Sequence, residues 1–253
     1  MRIYKDINYS VIHDEMHKLD LYLPDGKPRA LLVYFHGGGF VEGSRELSVM
    51  PRFAEDMTDA GIAVASAEYR MYPNAKYPDF IEDAAEAVAY AKRELLSFVE
   101  CDKLIVCGTS AGGYLSEMLC FDGRYLGKHG LSNLDITGYI HDAGQPTAHF
   151  NVLKERGIDS RRVIVDESAP LYHVGVTCDY PPMAIIVSDR DIPSRLEQTE
   201  LLISTLKSFG YDMNKLTYVK TSGQHVWYVT KTDEAGKNVF ASLILPFIEK
   251  IIL

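Results

Sequence analysis

Apolar residues cluster along the chain in short runs whose lengths suit strands better than helices. Ala30-Leu31-Leu32-Val33-Tyr34-Phe35 is continuous and apolar, as expected of a strand covered on both faces. Runs of the same kind recur at residues 62–67, 104–107 and 183–187. Lys18-Leu19-Asp20-Leu21-Tyr22-Leu23 alternates instead, which predicts a half-buried strand with Leu19, Leu21 and Leu23 on one face, closed by the turn Pro24-Asp25-Gly26. Residues 136–140 and 216–219 read as weak strands.

Helical spacing appears between these runs. Ile81, Ala84, Ala85, Val88 and Ala91 form one stripe, opened by Asp79 with Glu82 as a capping box. Ser194 and Glu197 open another helix, carrying Leu196, Ile203 and Leu206 and stopping at Gly210. Strands alternating with helices imply an α/β fold: a mostly parallel central sheet with helices on both faces. No repeat, low-complexity stretch or linker interrupts the chain, so residues 1–253 are expected to form one domain.

Composition changes the picture mainly by exclusion. With 47% hydrophobic and 24% charged residues, 253 residues can bury a full core. The formal charge of -9 repels phosphate backbones and anionic lipid, which argues against nucleic acid as a partner. No 18-residue apolar run occurs, and residues 239–253 carry Glu249 and Lys250 and are too short to span a membrane. Without an N-terminal apolar h-region, Cys101, Cys107, Cys120 and Cys178 read as reduced thiols of a cytoplasmic protein.

Two glycine motifs carry the candidate chemistry. Gly108-Thr109-Ser110-Ala111-Gly112 follows one apolar run and precedes a helical pattern. A serine on such a tight strand-to-helix turn projects its hydroxyl above the sheet. His36-Gly37-Gly38-Gly39-Phe40 follows another run, and its consecutive glycines allow backbone N–H groups to face a developing negative charge. Neither the Gly-Lys-Ser/Thr of a P-loop nor G-x-G-x-x-G is present, so phosphate and dinucleotide cradles are set aside.

A serine nucleophile needs a base and a carboxylate to orient it. Beyond Asp191 the chain has one histidine, His225, in a loop after the run at 216–219. For the acid, Asp189 and Asp191 both follow the run at 183–187; the spacing favours Asp191, and Asp189 stays open. Asp179 precedes that run and belongs at the opposite end of the sheet. His13 and His17 have a zincin-like spacing, but Glu15 is misplaced for that motif, so no metal is expected. Glu82, Asp83 and Glu86 read as a solvated acidic helix face, and the 16 tyrosines as packing residues.

Taken in order, His36-Gly37-Gly38-Gly39-Phe40, Tyr69-Arg70-Met71-Tyr72-Pro73 with Tyr77-Pro78 and Asp83, Gly108-Thr109-Ser110-Ala111-Gly112-Gly113, Ser188-Asp189-Arg190-Asp191 and His225 resemble an α/β-hydrolase of the hormone-sensitive-lipase-like esterase branch. They are similar also to kynurenine-formamidase-like hydrolases. The resemblance runs from about Lys18 onward. It implies Ser110 as nucleophile, Asp191 as orienting acid, His225 as base, and the N–H groups of Gly37, Gly38 and Ala111 as the oxyanion hole. It implies structural roles for His36 and Gly39 in the glycine loop. Thr109 departs from the acidic residue that often precedes the nucleophile. The residues ahead of Lys18 are too few for the N-terminal helical cap of many members, which implies an open pocket with a small lid drawn from residues 145–181.

The expected activity is hydrolysis of short-chain carboxylic esters, acetyl to butyryl, on small alcohols or sugars, through an acyl-enzyme and without a cofactor. An arylformamidase-type amide hydrolase is the alternative, since the same triad serves both reactions. A non-catalytic hydrolase-fold binder is the alternative of another class. The expected partner is a small-molecule ester, and a homodimer stays open because a second copy would wall an uncovered pocket.

Overall fold

The computed structural model describes residues 1–177 and 179–253. Its strands are β1 (Arg2–Asn8), β2 (Lys18–Leu23), β3 (Ala30–Phe35), β4 (Ile62–Ala67), β5 (Leu104–Thr109), β6 (Gly138–Asp142), β7 (Met183–Arg190) and β8 (Leu216–Gln224). Its helices are α1 (Met50–Asp59), α2 (Asp79–Tyr90), α3 (Leu96–Phe98), α4 (Ala111–Phe121), α5 (Gly123–Gly127), α6 (Phe150–Glu155), α7 (Pro170–His173), α8 (Arg195–Ser208) and α9 (Val239–Ile252).

The eight strands form one sheet in the order β1-β2-β4-β3-β5-β6-β7-β8. β3 to β8 run parallel, while β1 and β2 add an antiparallel edge. The continuous apolar runs are explained by the two cores they serve. Leu31, Val33 and Phe35 face one core with α2 and α4, and Ala30, Leu32 and Tyr34 face the other with α1 and α9. The apolar residues 239–253 thus supply a helix that covers a sheet face; Asn238 caps it by accepting from the Ala241 N–H at 2.9 Å. Among the described residues, no helix is long and apolar enough to cross a membrane.

After β3 the chain crosses to β4 on one side, and β5 lies on the other, so the strand order turns outward between β3 and β5. A crevice opens at such a switch point, above the carboxyl ends of the strands. The loops that leave β3 and β5 there are the two glycine motifs.

Several local expectations are corrected. β2 is buried on both faces, because Asp20 turns inward to the Arg45 guanidinium at 3.3 Å. The Asp79–Glu82 capping box does not form: Pro78 occupies the cap position, Asp79 accepts from the Lys76 N–H, and Glu82 pairs with Lys128. Asp83 is not on a solvated face. It is buried and takes a forked bond from Arg70, which lies 13 residues earlier in the chain. Ser194 precedes α8 as expected, but in a left-handed conformation and without a side-chain cap bond. The two weak strands are β6 and β8, and β8 extends to Gln224, directly before His225. Cys101, Cys107 and Cys120 are free thiols, the last two buried; Cys178 lies outside the described residues.

Candidate active site

Ser110 links β5 to α4 with φ 57° and ψ -110°. A non-glycine residue there is strained, and such strain persists only where the surroundings over-determine it. The flanking glycines are required by close approach. A Cβ on Gly108 would lie 1.9 Å from the Gly112 carbonyl oxygen, and one on Gly112 would lie 2.0 Å from the Phe35 oxygen. No side chain fits either place, so the strand and helix meet tightly and the serine is pushed outward.

Ser110 Oγ lies 2.8 Å from His225 Nε2, and His225 Nδ1 lies 2.6 Å from Asp191 Oδ1. The same Asp191 oxygen accepts from the Ile192 N–H at 2.7 Å. The Asp191 side chain is 0% exposed and the His225 side chain 22%, so the carboxylate is enclosed while the imidazole reaches the cleft. Asp189 points elsewhere. Its side chain is 38% exposed, and it accepts from the Gly223 N–H at 2.9 Å, which holds its carboxyl below the usual range. Asp179 meets Lys215 away from the site.

The glycine loop is built around His36. Its Nδ1 lies 2.7 Å from the Gly37 oxygen, its Nε2 lies 2.8 Å from Glu68 Oε1, and its ring stacks on Tyr69 at 4.4 Å. Tyr69 donates to the His36 carbonyl at 2.7 Å. Gly38 adopts φ +121°, and a Cβ there would lie 1.8 Å from the Glu42 oxygen. The N–H groups of Gly37, Gly38 and Ala111 have no acceptor among the described residues. Ala111 also begins α4, whose positive dipole end faces the same region.

Gly37, Gly38, Ser110 and His225 line a cleft of about 570 Å³, walled by Leu47, Val49, Phe150, Ile192, Val226 and Val229. Phe150 and Asn151 come from α6, within the segment 145–181. Asn151 donates to the Gly39 carbonyl, so this short helix is pinned beside the glycine loop. Arg195, fully enclosed behind Asp191, donates to the carbonyl of Ala143 and to Gln145 Oε1.

Sequence reasoning missed Glu68, Asn151, Arg195, Asp142 and Tyr228. The position of Asp142 was detectable, since it ends a strand that points at the same sheet edge. His13 and His17 turn to different partners: His13 meets Asn8, and His17 turns inward to Asp14 and Asp83.

The sheet order and the strand–serine–helix turn are those of the α/β-hydrolase fold. Residues 19–129 match the family model BD-FAE. The chain is 28% identical over 204 residues to the esterase LipC of Mycobacterium tuberculosis, covering 72% of this chain and 49% of that protein. It therefore spans about half the length of that curated relative. Among solved structures, a truncated carbohydrate esterase from gut microbiota superposes with TM-score 0.79 at 19% identity, covering 100% of this chain and 97% of the other. The propionate-bound esterase Est2 of Thermogutta terrifontis superposes with TM-score 0.75 at 22% identity, covering 97% and 93%. These structural likenesses establish the fold.

Proposed function

We propose that this protein is a serine esterase acting on short-chain carboxylic esters through an acyl-enzyme. The observation that carries the reading is the unbroken line Ser110 Oγ, His225 Nε2, His225 Nδ1, Asp191 Oδ1, with gaps of 2.8 and 2.6 Å. His225 takes the serine proton as Oγ attacks the ester carbonyl. Asp191 holds the ring in the tautomer that leaves Nε2 free to accept, and it stabilises the imidazolium that forms. The N–H groups of Gly37, Gly38 and Ala111 receive the oxyanion; each such donor is worth on the order of a hundredfold in turnover or more. His225 then returns the proton to the leaving alcohol, and a water activated by the same nitrogen releases the acid.

The openness of the cleft supports short acyl chains. A volume of about 570 Å³ accommodates a small ester. Methylenes beyond its walls stay in water and forgo about 0.8 kcal/mol each. The propionate named for the Thermogutta esterase points the same way, the esterase activity named for LipC supports ester chemistry, and the gut carbohydrate esterase supports a sugar alcohol as the leaving side.

The test is kcat/KM for acetyl, butyryl and octanoyl nitrophenyl esters, with Ser110→Ala as control and an N-formyl anilide beside them. The first two esters should be the best substrates. A maximum at octanoyl overturns the short-chain reading, and a faster N-formyl anilide overturns ester in favour of amide chemistry.

A further inference from the structure

Asp142 ends β6 and is wholly enclosed beneath the cleft, yet the reaction above makes no use of it. Its Oδ2 accepts from Thr109 Oγ1 at 2.8 Å, and its Oδ1 accepts from the Tyr228 hydroxyl. Its backbone carbonyl accepts the Ser110 N–H at 2.7 Å. Thr109 in turn accepts from the Tyr34 hydroxyl at 3.2 Å. Thr109 immediately precedes Ser110, and Tyr228 lies three residues after His225 in the turn Trp227–Thr230. One carboxyl therefore ties the chain just before the serine to the chain just after the histidine, two segments more than a hundred residues apart in sequence.

Both tied segments need an external constraint. Ser110 sits at φ 57° and Val226 at φ 46°. The left-handed region is especially unfavourable for a β-branched residue. Within the turn, the Val229 N–H donated to the Val226 carbonyl at 3.1 Å offsets part of this cost. Tyr228 is well placed to do so, because its ring is fixed against Phe240 with centroids 6.0 Å apart while its hydroxyl reaches Asp142. Burial, with the nearby Asp191 charge adding to it, pushes the Asp142 carboxyl up to about 7, and the two hydroxyl donors pull the other way. A carboxyl so enclosed is costly unless its bonds are made.

We propose that Asp142 is a positioning residue that sets the Ser110–His225 geometry through Thr109 and Tyr228. The proposal rests on the reading of Ser110 and His225 as nucleophile and base. Removing Asp142 itself strands two hydroxyls in the core and endangers folding, so the hydroxyl deletions Thr109→Val and Tyr228→Phe carry the test. Tyr139→Phe, another enclosed tyrosine on β6 but outside the site, is the control.

Each deletion should lower kcat by about tenfold with KM changed by less than about twofold, as expected when reacting groups are misplaced without loss of binding. The double variant should be little slower than the slower single one, because both deletions loosen the same clamp. Tyr139→Phe should keep its kcat. The low-field proton resonance of His225 Nδ1–H, donated to Asp191, reports histidine placement without turnover and should shift in Tyr228→Phe. Two deletion variants with wild-type kcat and an unmoved resonance overturn the proposal. A wild-type protein that hydrolyses no ester defeats the reading of the site instead; the resonance then decides the clamp, upheld by a shift in Tyr228→Phe and overturned by an unmoved signal.

Discussion

His225 and His17 each hold Nδ1 2.6 Å from an aspartate oxygen, but they adjoin β8 and β2, far apart across the sheet, and have opposite surroundings. The second nitrogen of His225 faces a serine hydroxyl in an open cleft. The second nitrogen of His17 lies 3.3 Å from Asp83, which is itself clamped by Arg70, and the ring is 1% exposed. His36 is a third instance, spent on Glu68 and the Gly37 carbonyl. A histidine–carboxylate pair is thus no marker of catalysis in this chain. What separates the three is whether the far nitrogen faces a hydroxyl on an open cleft.

The contrast is tested first where its consequence is largest. Ser110→Ala should reduce kcat for nitrophenyl acetate by as much as about a millionfold while thermal unfolding stays near wild type. Retained activity of more than a few percent would show that the serine facing His225 is not the nucleophile.

Next come the two aspartates. Asp191→Asn should cost on the order of ten-thousandfold in kcat, since the histidine loses the partner that selects its tautomer. Asp189→Asn keeps an acceptor for the Gly223 N–H and should stay within about tenfold of wild type. The reverse order in steady-state kinetics would transfer the orienting role to Asp189.

Substitution at the other histidine should touch stability alone. His17→Ala leaves a void where an enclosed ring stood between Asp14 and Asp83 and should destabilise by about 1–3 kcal/mol, with kcat unchanged. Denaturant unfolding beside kinetics checks both halves. A fall in kcat at constant fold would mean that the two regions communicate.

Glu117 shows burial with no histidine at all. Enclosed in α4, its carboxyl is pushed up from 4.5 to about 8 by desolvation, against the pull of Arg195. The folded state therefore holds a proton that the unfolded state releases. The contribution is present in full below pH 4.5 and is lost as pH rises toward 8, with a slope of up to about 1.4 kcal/mol per pH unit. Glu117→Gln should flatten this decline in unfolding free energy between pH 5 and about 8. An unchanged slope would mean that Glu117 stays ionised beside Arg195.

The residues that declared themselves in the chain are those whose role is local. Gly108, Gly112 and Gly38 stand where no side chain fits the backbone, so their motifs were legible as tight turns at strand ends before any packing was known. The apolar runs of β3, β4, β5 and β7 announced a sheet covered on both faces, because two-sided burial removes the alternation. Roles set by distant partners were not legible. Asp189 and Asp191 are chemically identical and two residues apart, and it is the irregular pairing of β7 with β8 after Ser188 that sends one to His225 and the other to Gly223. Asp83 looked solvated until Arg70 was folded over it, and Asp79 looked like a cap until Pro78 took that place. The place of Asp142 at a strand end was legible but its partners were not, for Thr109 and Tyr228 meet it only when three neighbouring segments close over the same end of the sheet. Backbone constraints are written within a few residues, whereas a side chain's partner depends on which strands become neighbours, and that is settled by burying the whole apolar surface at once.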